Sequence, residues 1–600
     1  MRHHLNHIVF IRRLRQVARK TLVAVLGERL ACKFIDLLYR ILEGAGAVVL
    51  KAVVPARQFL KRLPYKPVFS VIVVLKSSPP ELKHAVKSVM KQIYPLWELI
   101  VVSTEEQCDD VRKSPPLPFD KRIKPFRISK SDFCRGRLCD ILKDVRGDYV
   151  LLLDGSERLN KTALFSVAEF LNQHPDADLV YSDEEEFTGS GTKSSNIRRK
   201  PHWSPDLLLS VNYIGSTFFC RTGILSRVSA VNQSLSLESH PYDLLLHITE
   251  QTGRVYHFPM VTFHRYRSDP FVMNRPARVS EMKRVLEAAV GRRKIDAVII
   301  QDGAQGTFYV KRRFSGRPLV SVLIPFKNKP DLLEMCLDAI LSRSTYSSYE
   351  IVGISNNSTD PDVYRIMSRF EKRDSRVRFI EYDIPFNYSK INNYAVSRAG
   401  GEHLVLLNND VEIITPDWLQ ALLEHSCRPE VGAVGAMLYY PNGTIQHAGT
   451  VLGFNGLFGH LYSGCPGGFS CKKGFPFLVQ NIIAVTGACM MIKKSLYARL
   501  GGLDEIHLPV SYNDVDLCLR LHEAGFMNIL TPYCEAYHYE SISRGCDSRK
   551  EYRARAESEA GYMMRRHAKF FAAGDPYYSK MFIEYVMNHA FAGDGSCVAQ

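Results

Sequence analysis

Two stretches of the chain carry the same alternation of apolar and polar positions. "FSVIVVLKSSPPELKHAVKSVMKQIYPLWELIVVS" (69–103) and "VSVLIPFKNKPDLLEMCLDAILSRSTYSSYEIVGIS" (320–355) each read as a buried strand, a polar loop, an amphipathic helix and a second buried strand. The spacing repeats closely: Ser70 and Ser321 lie 251 positions apart, Glu98 and Glu350 252. Further on, "GDYVLLLDGSE" (147–157) matches "GEHLVLLNNDVE" (401–412), each an apolar strand that ends in polar residues. Apolar strands alternating with helices predict a parallel sheet covered on both faces. Ligands of such sheets bind beyond the carboxyl ends of the strands, where Ser355, Asn408, Asn409 and Asp410 emerge.

Six hundred residues exceed what one hydrophobic core organises, so several domains are expected. The repeats place α/β domains at 67–275 and 318–546. The connection 276–317 contains "SEMKRVLEAAVGRRK", which predicts a helix, and then an extended piece near "TFYVKRRF". Residues 547–600 predict a helical, basic tail broken at "DPYY" (575–578).

Composition changes the picture at the amino terminus. Apolar content of 46% and charged content of 23% are those of an ordinary folded chain. The formal charge of +16 is uneven, because residues 1–66 hold fourteen Lys/Arg against three Asp/Glu. Charge gathered there, rather than spread over a folded face, argues against a nucleic-acid partner. This segment interleaves cations with apolar residues at helical spacing. Glu28 and Arg29 interrupt its apolar run, so neither a signal peptide nor a membrane-spanning helix is expected. It reads either as an amphipathic helix lying on an anionic membrane surface or as a helical extension packed on the rest of the protein. The fourteen cysteines form no CxxC pair, with Cys134/Cys139 and Cys465/Cys471 too widely spaced, and are expected to be reduced cytosolic thiols without a zinc site.

Six motifs occur in order: "SVLIPFKN", "SNNSTD", "PFNYSKINNYAVSRAGGEHLVLLNNDVEII", "GTIQHAGTVLG", "VTGACMMI" and "YNDVDLCLRLHEAGF…TPYCEAYHYESISRG". Together they resemble the family 2 glycosyltransferases, and more narrowly the tandem-domain bacterial enzymes that build surface polysaccharide such as O-antigen or rhamnose-rich glycans. The resemblance runs from residue 67 onward and is stronger in the second domain. It implies two tandem GT-A domains, the Rossmann-like, nucleotide-sugar-binding α/β fold, with the basic helical extension before them and the helical tail after. It also implies a nucleoside-diphosphate sugar donor, a glycan or lipid-linked acceptor, a divalent metal (Mg²⁺ or Mn²⁺), and a place in the cytoplasm, peripheral to the inner face of the membrane.

Transfer of a sugar requires that the departing diphosphate be stabilised and the acceptor hydroxyl deprotonated. On the resemblance, Asp410 is the metal and diphosphate contact, flanked by Asn408, which offers only a neutral oxygen, and by Asn409. Asp514 is the catalytic base of an inverting reaction. Asp516 opens the run "DLCLRL" and is expected to cap a helix through backbone N–H groups. His538 is placed near the metal or diphosphate. Arg544 is expected either to neutralise diphosphate charge or to pair with a glutamate. Gly487 and Ala488 are expected to line the sugar pocket, because small residues let backbone approach ligand. Asn328, Asn356, Lys390 and Asn393 fall where the family contacts the nucleotide, and Trp418 is assigned to the core. One departure matters: strand two of the family usually ends in an acid that binds the base, and here that position is Ser355.

In the first copy Asp410 corresponds to Ser156, leaving Asp154 without its companion acid, and Asp514 corresponds to Pro241. Only Asp516 keeps its counterpart, Asp243. The expectation is a fold preserved without transferase activity. The acidic run "YSDEEE" (181–186) could bind a metal in some other way, but a run of charges is more often a solvated loop, and that is the expectation. A non-catalytic glycan-binding protein or a membrane-associated scaffold is the alternative to an enzyme, and the intact Asp410 and Asp514 argue against it.

Overall fold

A computed structural model of the protein describes residues 63–590 apart from 75–78, 105–119, 129–137, 189–193, 232–240, 268–275, 303–305, 454–456, 468–474 and 540–549. The expected basic helix of 1–66 lies almost wholly outside the described residues.

Two large sheets are built in the same strand order. The first runs Ile123–Ile128, Trp97–Thr104, Phe69–Val74, Tyr149–Asp154, Phe218–Arg221, Leu179–Thr188, Val255–Arg267, Glu157–Leu159. The second runs Val377–Glu381, Tyr349–Ser355, Val320–Phe326, His403–Leu407, Cys489–Lys493, Val431–Tyr439, Met527–His538, Val411–Ile413. The central strands are buried on both faces, His403–Leu407 and Val431–Tyr439 throughout. The parallel expectation holds for the first four strands of each sheet and again for the pairs Leu179–Thr188/Val255–Arg267 and Val431–Tyr439/Met527–His538. Phe218–Arg221 and Cys489–Lys493 run antiparallel to both neighbours, so the sheets are mixed. A continuous apolar run reports burial on two faces but not strand direction, which is why this was hidden.

The repeat extends to single hydrogen bonds. Ser70 Oγ donates to Glu98 Oε1 (2.6 Å) and accepts from Gly147 N (2.9 Å), while Ser321 Oγ donates to Glu350 Oε1 (2.6 Å) and accepts from Gly401 N (2.8 Å). A Cβ on Gly147 would stand 2.6 Å from Ser70 Oγ, and one on Gly401 2.7 Å from Ser321 Oγ, so both positions require glycine. The residues that set the sequence offset are the ones that join the strands.

The acids of 181–186 are not on a solvated loop. They lie on the buried strand Leu179–Thr188, where Arg199 holds Asp183 (2.9 Å) and Arg198, Lys200 and Arg265 hold Glu184 (2.9, 3.1 and 3.4 Å). These cations pull the Glu184 carboxyl far below its usual range despite complete burial.

The connection and the tail tie the copies together. Helix Pro276–Arg292 packs on Pro241–Gln251, with Arg292 Nε 2.9 Å from Glu250. The hairpin of Ala297–Gln301 and Phe308–Arg312 reaches the second domain, where Tyr309 Oη donates to Glu424 (2.6 Å) and the Tyr309 ring stacks on Tyr533 at 3.5 Å. Across the seam, buried Asp206 accepts from Arg428 (2.7 Å) and Asn481 (2.9 Å). Helices Lys550–Arg566, Ala568–Ala573 and Lys580–Ala590 follow, interrupted at Gly574, whose φ is 92°. Among the described residues no helix is long and apolar enough to cross a membrane.

Candidate active site

The loops that follow Phe326, Ser355 and Leu407 gather at the carboxyl ends of the parallel strands, and Asn408–Asp410 begins there. Strand Val411–Ile413 pairs antiparallel with Met527–His538 in a register that sets Val411 opposite His538. This register brings His538 Nε2 to 3.2 Å from Asp410 Oδ1, both side chains nearly buried. Gln446 fixes the ring. Its Nε2 donates to the His538 carbonyl (3.3 Å), so its Oε1 faces His538 Nδ1 (2.7 Å) and accepts a proton from it. With Nδ1 donating, a ring without a proton on Nε2 presents a lone pair there, 3.4 Å from Asn408 Nδ2. A lone pair and a carboxylate facing each other repel unless a proton or a cation lies between them. The donor set, one carboxylate and one imidazole whose other nitrogen is held by an amide, fits a divalent ion that takes its remaining ligands from phosphate and water. Among the described residues there is no larger cluster of metal-ligating side chains.

Asp514 stands at the start of helix Asn513–Glu523, just after Tyr512, which occupies the left-handed region (φ 61°). Its Oδ2 accepts the Gly487 N–H and its Oδ1 the Val515 N–H, each at 2.8 Å. Gly487 allows this approach: a Cβ there would lie 3.3 Å from Tyr388 Oη and 3.5 Å from Asp514 Cβ. Tyr388 Oη sits 3.1 Å from the Gly487 carbonyl and 3.3 Å from Asn408 Oδ1, and Asn408 N donates to the Ala488 carbonyl (3.0 Å). Hence His538, Asn408, Tyr388, Gly487 and Asp514 form one unbroken floor that joins the two carboxylates. Burial lifts the Cys336 thiol behind Asp410 well above its usual range, so it stays protonated.

The other expected site residues divide. Ser355 and Asn356 end strand two; Asn356 Nδ2 donates to the carbonyls of Tyr382 and Ile384, both at 2.9 Å, and laces strand two to strand three. Asn328, at φ 51°, accepts N–H groups from Thr359 (2.8 Å) and Asp360 (3.0 Å). Buried Asn409 Nδ2 has no hydrogen-bond partner among the described residues. Lys390 is exposed. Asn393 is spent on structure: Nδ2 donates to Leu503 O (2.9 Å) and Glu505 (3.0 Å), while Oδ1 accepts from Tyr497 Oη (2.6 Å) and Leu503 N (3.0 Å). Arg544 lies outside the described residues. Trp418 is fully buried. Asp516 is structural but caps no backbone; it accepts from Arg520 Nε and lies against His567 Nε2, both at 2.8 Å. Tyr388 and Gln446 were missed as site residues. Their only signal was polar side chains inside the ordered motifs.

With this geometry in place, the chain belongs to glycosyl transferase family 2, whose profile matches 70–235 and 321–501, more than half its length. The y4gI protein of Sinorhizobium fredii is 34% identical over 85% of this chain and 57% of its own length. The O-antigen biosynthesis protein RfbC of Myxococcus xanthus is 32% identical over 88% of this chain and 41% of its own length. The chain thus spans about half the length of these relatives. Among solved structures, the mannosyltransferase PcManGT of Pyrobaculum calidifontis, in complex with GDP-Man and Mn²⁺, is 18% identical with a TM-score of 0.32 over 48% of this chain and 73% of that one. So distant a likeness assigns neither ligand nor acceptor.

Proposed function

We propose that the second domain transfers a sugar, with inversion, from a nucleoside diphosphate to a hydroxyl of a glycan or lipid-linked acceptor in bacterial surface polysaccharide synthesis. The observation that carries this reading is the shared floor: Asp514 and the Asp410–His538 pair are joined through Gly487, Tyr388 and Asn408. Asp514 takes the proton of the acceptor hydroxyl while that oxygen attacks the anomeric carbon. The bond to the diphosphate breaks, and its electron pair leaves with the nucleoside diphosphate. A divalent cation held by Asp410 and His538 would spread the negative charge that builds on the leaving oxygens. The unpartnered amide of Asn409 supports a phosphate or sugar oxygen as its ligand. Asn328, Ser355, Asn356 and Lys390 line the nucleotide side, with Gly487 and Ala488 under the sugar.

The first domain acts as a scaffold for this site without turnover of its own. Work on such a donor places the enzyme in the cytoplasm, and the basic segment 1–66 would hold it against the inner membrane face; RfbC, a relative named for O-antigen biosynthesis, supports that setting. Metal-dependent donor hydrolysis and transfer by wild type, strongly reduced in Asp514→Asn while metal-dependent thermal stabilisation by the donor persists, is the expected outcome. Full turnover in that variant would sink the assignment. Liposome flotation of the full chain and of residues 67–600 tests the membrane contact, and equal binding by both would remove it.

A further inference from the structure

The motif "GTIQHAGTVLG" has a second occupant. Its Gln446 serves the diphosphate side through His538, and the next residue, His447, is fully buried and points elsewhere. All three N–H groups of the turn Thr486–Ala488 are engaged. Gly487 N donates to Asp514 (2.8 Å), Ala488 N to Thr486 Oγ1 (3.3 Å), and Thr486 N to His447 Nε2 over a longer 3.4 Å. A peptide N–H can only donate, so His447 Nε2 is the acceptor and the ring proton sits on Nδ1. His447 Nδ1 lies 2.7 Å from His460 Nδ1, which must then accept. The tautomer of each ring follows from the geometry alone. Burial holds the His447 ring well below its usual range and so neutral, as this arrangement requires.

His460 closes the hairpin of Thr450–Leu452 and Phe458–His460. Phe458 of that hairpin stands 6.3 Å from the ring of Tyr512, the residue before the helix that carries Asp514. The same hairpin is pinned from the tail, where Asp575 accepts the Leu452 N–H (2.9 Å). The hairpin therefore meets the Asp514 turn from two sides, through Tyr512 and through the histidine pair.

We propose that His447 is a positioning residue for Asp514: it orients the Thr486–Gly487 turn and is locked in turn by His460, so the hairpin and the base move as one unit. This rests on Asp514 being the base. His447 touches neither donor nor reacting atoms, and its effect is on the aim of the Gly487 N–H and of the carboxylate that receives it. Loss of that aim lowers the rate of the chemical step and leaves the nucleotide side alone.

The test is a double-mutant cycle on the full chain, read as kcat, donor KM and melting temperature. His447→Leu is expected to lower kcat roughly 10- to 100-fold with donor KM within about twofold of wild type. His447→Gln, which keeps an acceptor for the Thr486 N–H, is expected to recover most of that loss. His460→Phe, at an exposed position where folding is not threatened, is expected to lower kcat several-fold with the same unchanged donor KM. In the Asp514→Asn background, His447→Leu is expected to add no further loss. An unchanged kcat in both His447→Leu and His460→Phe would overturn the proposal. So would a drop of equal size in the Asp514→Asn background. If Asp514→Asn itself retains wild-type turnover, it is the assignment of the base that fails.

Discussion

The two copies share the bonds that join their strands and differ in the side chains above them. Ser70, Glu98 and Gly147 repeat as Ser321, Glu350 and Gly401 with nearly the same distances. At the site, the register that sets Val411 opposite His538 sets Glu157 opposite Arg265, so Arg265 takes the place of His538 as Ser156 takes that of Asp410. Pro241 opens the helix where the second copy has Asp514. Below them, the counterparts of apolar Met437 and Leu438 are Asp183 and Glu184, neutralised internally by Arg198, Arg199, Lys200 and Arg265. Where one copy leaves a carboxylate and an imidazole facing each other, the other fills the ground with ion pairs that need no ligand. Burial of strand-joining polar groups preserves the fold in both copies, whereas only the second keeps Asp410 and His538 side by side.

The comparison is broken most directly at the acids. Asp514→Asn and Asp410→Ala are each expected to lower transfer ~10²- to 10⁴-fold, and Asp154→Ala to leave it unchanged, in an assay of sugar transfer. Equal losses from Asp154→Ala and Asp410→Ala would mean that both copies are active. Next comes the ion-pair network. Glu184→Gln removes the buried carboxylate shared by Arg198, Lys200 and Arg265 and is expected to cost about 3–5 kcal/mol in urea unfolding, with kcat per folded molecule unchanged.

The connection gives a smaller, pH-dependent effect. Burial pushes the Glu424 carboxyl up to about 7 from 4.5. A folded-state pKa raised in this way contributes stability that is full below about pH 4.5 and lost as pH rises toward 7. Calorimetric melts should fall by on the order of 2–3 kcal/mol across that window in wild type and flatten in Glu424→Gln. Smallest is the shared scaffold: Ser70→Ala and Ser321→Ala should each cost about 1–2 kcal/mol, and a clear inequality would show that the copies are not supported alike.

Much of this was legible in the sequence for a physical reason. Ser70, Glu98 and their counterparts are strand residues at fixed spacing, and the repeat reveals them before any contact is known. Direction was not legible, because an antiparallel strand in mid-sheet is as apolar as a parallel one. The acids of 181–186 were misread because their cations lie up to 81 positions away at Arg265. Asp516 was assigned to a cap because His567, its partner, is 51 residues downstream. Asp410, Asp514 and His538 came from the ordered motifs. Tyr388, Gln446 and His447 acquire meaning only when distant turns are brought together, and the nucleotide assignment of Asn393 gave no sign that Tyr497, Leu503 and Glu505 claim its whole side chain.

The tail has a consequence for how the gene can be cut. Asp575 grips Leu452 in the second copy, and two residues later the Tyr577 carbonyl accepts the His202 N–H (2.8 Å) of the first. A single strap thus touches both halves, so a stop codon placed before it would remove one fastening from each at once. Severing the chain between the repeats would yield two orphaned fragments rather than a working enzyme and a spare.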